Sequence, residues 1–203
     1  GDKSLSKREF SRVTIPLRKF GVKFSYKIKN KLPLTILGTQ SAKGIKYLEN
    51  KGSAQCKSSI MLAALNASGT TSIKAKKSRN HTELLFKYLK IPIKVRKTKK
   101  FDFIDIKKPK KINAFNYQIP GDISSSAFFM VLTTLADNSK LLIKNVNINP
   151  SRVGVITILK KMGAKITLKN QKNYRGEKIS DILIKSSKKL KAINCPVELN
   201  SSA

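Results

Sequence analysis

The sequence has little of the chemistry that metal centres and nucleophilic enzymes need. Its 203 residues include one histidine, two cysteines and no tryptophan. Cys56 and Cys195 stand far apart, without the close spacing of a zinc site or a redox pair. A single histidine, His81, leaves little material for a histidine-rich metal centre or a Ser-His-Asp triad. We therefore expect neither kind of site.

Long apolar runs are also absent. No stretch approaches the roughly 20 residues of a membrane-spanning helix, so we expect no membrane partner. The chain shows no signal-peptide pattern, and we expect a cytoplasmic location. It opens at Gly1, without methionine, so we expect it to be cut from a longer protein. The hydrophobic fraction of 40% supports a packed core and excludes wholesale disorder.

Acidic residues are few beside the basic ones. The chain has 11 acidic and 43 basic residues, a formal net charge of +32. Such an excess suggests an anionic partner, which includes nucleic acid and phosphorylated small molecules. Only seven of the cations are arginines and 7% of the residues are aromatic, whereas nucleic-acid binding typically uses more of both. We interpret most of the charge as a lysine-rich surface and expect no nucleic-acid partner.

An internal repeat organises the chain. Leu62–Lys74 resembles Leu132–Lys144, and each copy reads as the end of an apolar helix, a polar turn and a strand. A second helix and another strand follow each copy. A third, partial copy begins the chain, since Arg12–Ser25 resembles Arg152–Thr167. This alternation predicts an α/β (α+β) fold with repeated units, in which apolar helices pack inside and sheets surround them.

The helices of the repeat carry recognisable signals. Ser58–Ala67 and Ser124–Ala136 are apolar nearly all round, so we expect burial on most of their faces. Asp122 or Ser124 is placed to cap the second of them. Glycine is the predicted end of the helix in both segments of the third repeat, Gly21 in the partial copy and Gly163 in its later counterpart. The lysine-rich segment 94–111 predicts an exposed hairpin near a domain boundary, and the alternative is a nucleic-acid-binding patch.

The first candidate site lies where the first apolar helix begins, in Gly52–Lys57. Small residues at a helix start leave backbone amide groups directed at any anion placed there. Ser53 adds a hydroxyl, Gln55 an amide donor and Lys57 a charge. The alternative is an ordinary helix cap followed by a solvated first turn.

Two further segments are candidates for phosphate binding. In Lys77–Glu83, Ser78 and Arg79 are placed to meet a phosphate, and the alternative is helix capping with an exposed arginine. Gly1–Arg12 combines a glycine start, hydroxyls and several cations including Arg8, and the alternative is a solvated basic stretch. None of the three segments is specific alone.

Together and in this order, the motifs resemble the EPSP synthase family. The matching strings are GDKSLSKREFSRVTIPLRKFGV, LPLTILG, SAQCKSSIMLAAL, SRNHTELLF, PGDISSSAFFMVLTTL, NVNINPSRVG and LKKMGA. The resemblance implies transfer of the enolpyruvyl group from phosphoenolpyruvate to the 5-hydroxyl of shikimate 3-phosphate, a shikimate-pathway step without metal or cofactor. It also implies a two-domain inside-out α/β barrel of βαβαββ-type units, incomplete here.

The resemblance assigns binding residues one by one. Arg8 would bind the phosphate of phosphoenolpyruvate, and Gln55 would lie between the two substrates. The shikimate 3-phosphate set would be Ser53, the backbone of Ala54, Gln55, Ser78 and Arg79, with His81 beside them. Glu9 departs from the family pattern, which usually has proline at this position. A carboxylate there could draw the Arg8 guanidinium away from the phosphate.

The resemblance also bears on what the chain leaves out. Gly1–Arg8 is similar to a separate, N-terminal family motif with a catalytic lysine, but the following residues fit the internal motif, so Lys3 is not assigned a catalytic role. We expect the catalytic residues before Gly1 and after Ala203, none within the chain, and no turnover by the chain alone. Residues 1–119 would be most of the N-terminal domain and 120–203 the beginning of the C-terminal domain, of a monomeric enzyme.

Three other interpretations remain open from the sequence. An enzyme similar to UDP-N-acetylglucosamine 1-carboxyvinyltransferase would typically carry a reactive cysteine shortly before the arginine, and residues 1–11 contain none. A basic nucleic-acid-binding module similar to the RNA 3′-phosphate cyclases would share the repeated units and bind RNA in a salt-sensitive way. A non-catalytic remnant is the third.

Overall fold

A computed structural model of the chain describes residues 3–196 and residue 199. The glycine start of the third candidate segment, Gly1 and Asp2, lies outside this part. Residue contacts divide the chain into two compact units, Gly1–Asn113 and Ala114–Ala203. The domain division expected after residue 119 stays a prediction.

Helices and strands alternate in both units, which confirms the α/β (α+β) class. The first unit contains α1 (Lys3–Ser6), α2 (Ser11–Lys19), β1 (Lys23–Tyr26), β2 (Leu34–Leu37), β3 (Lys46–Glu49), α3 (Ala54–Ala64), β4 (Thr70–Lys76), α4 (His81–Tyr88), β5 (Ile93–Lys97) and β6 (Phe101–Lys107). The second contains α5 (Ile123–Leu135), β7 (Lys140–Asn147), α6 (Gly154–Lys161), β8 (Lys165–Tyr174) and β9 (Glu177–Lys185).

A four-stranded sheet forms the body of the first unit, in the order β3-β4-β6-β5. β3 is parallel to β4 and the other neighbours are antiparallel. Alternate residues of β4 and β6 are buried, as expected when one face of a strand meets a core; Ile73 and Ile104 lie opposite each other there. Helix α3 packs on this face, with Ile60 and Met61 fully buried. The 94–111 hairpin is confirmed as β5 and β6, but it is exposed only in part, because Ile104 and Ile106 of β6 are buried.

The second unit repeats this plan with the sheet order β7-β9-β8, antiparallel throughout. The order corresponds to β4-β6-β5, and the chain order of elements from α5 to β9 is the same as that from α3 to β6. The place of β3 is taken by an isolated parallel bridge between Gly121 and Val146. The structure therefore confirms the repeat, and the described sheets are open rather than closed into a barrel.

The second helices of the two units end in the same way. The amide of Ile91 bonds the carbonyl of Phe86 at 2.9 Å, and the amide of Ala164 bonds that of Leu159 at 2.9 Å. The residue after the C-cap is left-handed in each case, with φ 102° at Gly163. The equivalent Gly21 after α2 has φ 95°, which confirms the glycine stop of the third, partial copy.

Burial of the apolar helices was predicted correctly for α3 and wrongly for α5. α5 buries Ile123 and Met130 against its own sheet, but Phe128 is 79% exposed and Leu132 is 64% exposed. Within its own unit α5 contacts β7, β9 and α6, and no other described element of that unit covers its opposite face. No helix in the described ranges is long and apolar enough to cross a membrane.

Candidate functional site

The turn that leads into α3 is fixed by a buried carboxylate. Glu49, only 3% exposed, accepts the amide of Lys51 on Oε1 at 3.0 Å and the amide of Gly52 on Oε2 at 2.8 Å. Gly52 has φ 70°, and a Cβ there would lie 3.3 Å from the carbonyl oxygen of Lys77. Glycine therefore lets this turn lie directly against the segment that leads into α4.

Two side-chain contacts join the beginnings of α3 and α4. Ser58 Oγ and Thr82 Oγ1 are 2.7 Å apart, and Lys57 Nζ lies 2.6 Å from Glu83 Oε1. Both members of the ion pair are buried, so Lys57 does not offer its charge to a ligand. This corrects the expectation that Lys57 would attract an anion at the helix start, since its ammonium neutralises the Glu83 carboxylate.

The predicted shikimate 3-phosphate residues lie on these two adjoining turns. Ser53 caps α3, accepting the amide of Cys56 on Oγ at 3.2 Å, and Ala54 and Gln55 form the first turn of the helix. Ser78 and Arg79 lie between β4 and α4. Arg79 and Gln55 are exposed, so their polar groups are available to a ligand at the surface.

The polar groups of the Ser78 and Arg79 side chains lack partners within the described part of the chain. Ser78 Oγ is buried and has no hydrogen-bond partner. Among the described residues, the Arg79 guanidinium has no ion-pair or hydrogen-bond partner either. A buried hydroxyl without a partner costs free energy, and a ligand oxygen that bonded it would recover part of that cost.

The second unit contains the same dipeptide, and there both side chains have hydrogen-bond partners within the unit. Ser151 and Arg152 precede α6 at the positions that Ser78 and Arg79 hold before α4. Arg152 Nη2 donates to Asp122 Oδ1 at 3.0 Å and to Ser124 Oγ at 2.5 Å. Ser151 Oγ donates to Asn149 Oδ1 at 2.8 Å.

The capping residue makes the difference between the two units. Asp122 caps α5 and accepts the amide of Ser125 on Oδ2 at 3.1 Å, as predicted, where Ser53 caps α3. Burial raises the pKa of Asp122, but the amides of Ser125 and Ser124 and the Arg152 guanidinium outweigh it and lower that pKa. The first unit has a neutral hydroxyl where the second has a carboxylate, so its arginine has no internal anion.

Arg8 lies in a cleft of about 770 Å³ against the same turn. Ser53 lines this cleft too, so the structure brings one residue of each predicted set together. Arg8 stands two residues before the N-cap of α2, as Ser78 stands two before the N-cap of α4. Both Arg8 and Glu9 are described, and no ion pair joins them, so the interference expected from Glu9 is absent.

Cys56 forms part of the cleft wall and is 4% exposed. Burial raises the pKa of its thiol and the Glu49 carboxylate adds to this, which keeps it protonated at neutral pH. We expect iodoacetamide at pH 8 to alkylate the exposed Cys195 at least about tenfold faster than Cys56. Mass spectrometry of the two peptides over time measures this, and equal rates would contradict the burial of Cys56.

Comparison with known proteins identifies the family of the chain. The family model described as EPSP synthase (3-phosphoshikimate 1-carboxyvinyltransferase) matches residues 1–198. The chain belongs to the EPSP synthase family. All five residues predicted to bind shikimate 3-phosphate, and Arg8, fall within the matched range.

Individual members of the EPSP synthase family are similar over almost the whole chain. A 3-phosphoshikimate 1-carboxyvinyltransferase of Ruthia magnifica subsp. Calyptogena magnifica is 45% identical over 204 residues, which is 100% of this chain and 46% of the relative. That of Bacillus subtilis (strain 168) is 38% identical over 95% of this chain and 44% of its own length. A solved EPSP synthase from Acinetobacter baumannii aligns with a TM-score of 0.80 and 40% identity, covering 98% of this chain and 45% of that one. The chain thus spans less than half the length of these relatives.

The sequence did not reveal two interactions that shape the site. The role of Glu49 depends on a turn that brings its carboxylate under two amides, and only its position three residues before Gly52 indicated this. The Lys57–Glu83 pair had a clearer signal, because Lys57 is the one charged residue of α3. Among the described residues, no cluster of metal-ligating side chains occurs.

Proposed function

We propose that this chain forms the part of a 3-phosphoshikimate 1-carboxyvinyltransferase that binds shikimate 3-phosphate and the phosphate of phosphoenolpyruvate. The observation that carries the proposal is the open Ser78–Arg79 pair beside Ser53, set against the internally closed pair Ser151–Arg152. A phosphate monoester supplies the negative oxygens that Asp122 supplies in the second unit.

The residues of the chain would act by holding the two substrates. Ser78 Oγ and the Arg79 guanidinium donate to the phosphate of shikimate 3-phosphate, and Ser53 and the first-turn amides of α3 contribute further donors. Arg8, in the adjoining cleft, binds the phosphate of phosphoenolpyruvate. Gln55 lies between the two positions, and its amide can both donate and accept.

Such holding favours a reaction between two anionic molecules. Fixed cations and amides offset the repulsion between the phosphates and bring the 5-hydroxyl of one substrate to the enol carbon of the other. The hydroxyl adds to that carbon, and elimination from the tetrahedral intermediate releases phosphate. Both steps need proton transfer, for which none of the residues assigned here is proposed.

Phosphate release measures the proposed reaction. We expect the natural gene product that contains this chain to release phosphate from phosphoenolpyruvate only when shikimate 3-phosphate is present, with one phosphate per enolpyruvyl product detected by mass spectrometry. UDP-N-acetylglucosamine as the acceptor serves as the control. Release that depends on this sugar nucleotide, or that occurs without shikimate 3-phosphate, would overturn the proposal.

We also propose that the protein is a monomer in the cytoplasm, without a nucleic-acid partner.

A further inference from the structure

Arg12, which none of the predicted sets included, lies on the cleft side of α2. This helix turns Thr14 and Pro16 into the protein, where both are buried. Arg12 and Ile15 lie on its exposed side and line the same cleft as Arg8. In the described part of the chain, the Arg12 guanidinium makes no ion pair and no hydrogen bond.

Among the described residues, no carboxylate forms an ion pair with Arg12. Glu49 lines the cleft, and each of its oxygens accepts one backbone amide, from Lys51 or from Gly52. Glu9 is the other acid of the cleft, so three cations face two carboxylates there. The charges of Arg12 and Lys51 both reach the thiol at the cleft wall, where they act to lower the pKa of Cys56 against the larger effect of burial.

The cleft therefore gathers three cations around one space of about 770 Å³, namely Arg8, Arg12 and Lys51. Unpaired guanidinium groups that share a concave surface favour a small anion with several oxygens, because each can donate two parallel hydrogen bonds. A phosphate monoester has enough oxygens for two arginines at once. A carboxylate has only two oxygens, and the two parallel hydrogen bonds of one arginine occupy both.

We propose that Arg12 is a second phosphate-binding arginine of the cleft, which binds the same phosphate group as Arg8. The inference rests on the proposed function for the identity of the ligand, a phosphorylated enol acid. Arg12 contributes to substrate binding and not to proton transfer. Ile15, which is 51% exposed beside it, gives the non-polar carbon skeleton of such a ligand a surface to contact.

The test compares Arg12→Gln with Arg18→Gln in the natural gene product. Arg18 lies on the same helix and its Nη2 donates to the Tyr26 hydroxyl at 3.0 Å outside the cleft, so its loss removes the same charge elsewhere. We expect Arg12→Gln to raise the calorimetric dissociation constants of phosphoenolpyruvate and inorganic phosphate about tenfold, and Arg18→Gln to change them less than twofold. Arg12→Lys should retain part of the affinity, because it keeps the charge without the planar fork.

Thermal unfolding of each variant checks that the fold is intact, and Arg12→Gln should leave the midpoint unchanged because no described residue pairs with Arg12. Equal phosphate affinity in Arg12→Gln and Arg18→Gln would overturn the inference, while normal transfer to shikimate 3-phosphate would leave the proposed function standing. Conversely, Arg12-dependent binding of inorganic phosphate without any transfer to shikimate 3-phosphate would overturn the proposed function and leave the inference standing.

Discussion

Replacing Arg79 by glutamine is expected to weaken the binding of shikimate 3-phosphate by about 10- to 100-fold. A charge-assisted hydrogen bond contributes about 1.5–3 kcal/mol, and each 1.4 kcal/mol is a factor of ten in affinity. The free energy of unfolding should change by less than about 0.5 kcal/mol, because Arg79 is exposed and no described residue pairs with it. Isothermal titration calorimetry of the natural gene product and its urea unfolding measure the two quantities.

Arg152→Gln is the matched control, since it removes the equivalent arginine of the other unit. The expected result is the reverse, with unchanged affinity for shikimate 3-phosphate and a loss of about 1 kcal/mol in the free energy of unfolding. The loss is modest because the Asp122 side chain is 53% exposed, and solvent weakens such pairs. If both variants lose the same affinity, or if Arg79→Gln destabilises the protein as much as Arg152→Gln, the contrast between the two units is wrong.

Lys57→Met should lower the free energy of unfolding by about 3–5 kcal/mol. Lys57 and Glu83 have side chains that are 0% and 5% exposed, so the variant leaves a buried carboxylate without its counter-charge. Glu83 Oε2 has no hydrogen-bond partner, so this oxygen makes no contact that would stabilise the carboxylate after Lys57 is lost. Urea titration followed by circular dichroism gives the change in the unfolding midpoint.

The double variant Lys57→Met with Glu83→Leu separates the ion pair from the packing of its side chains. It should recover most of the lost stability, because apolar residues of similar volume commonly replace a buried pair at little cost. Recovery by the double variant would show that the unpaired charge causes the loss. A Lys57→Met protein within about 1 kcal/mol of the wild type would contradict the burial of the pair.

Local patterns carried the prediction of the repeat, whereas the resemblance to the family assigned the site residues. The apolar helices, glycine stops and caps are each encoded within a few residues, so Gly163 could be assigned from the sequence and the cap of α5 narrowed to Asp122 or Ser124. The order of the motifs placed Ser53 and Ser78 at the starts of two helices. Their proximity follows from the packing of Gly52 against the segment before α4 and from the contacts between the two helix starts, which no local pattern contains.

The misjudged features depend on contacts between distant residues. Lys57 stands at the start of α3, as an anion-binding lysine would, and only the position of Glu83 on another helix reverses that interpretation. Similarly, all-round apolarity predicted burial of α5, whereas the neighbours of α5 within its own unit cover one face alone. Local sequence shows that a helix face is apolar or that a side chain is charged. Only the tertiary structure shows whether another element covers that face or neutralises that charge.

The caps of α3 and α5 suggest how a duplicated unit can gain or lose a binding role. Two copies of one scaffold carry the same arginine, and a single side chain at the helix start decides whether it strengthens the fold or faces a solute. A change between aspartate and serine at that position needs no rearrangement of the sheet or of the helices. In the second unit, Asp122→Ser would remove the anion that Arg152 now contacts, and anion binding by the variant would show whether the cap alone separates the two roles.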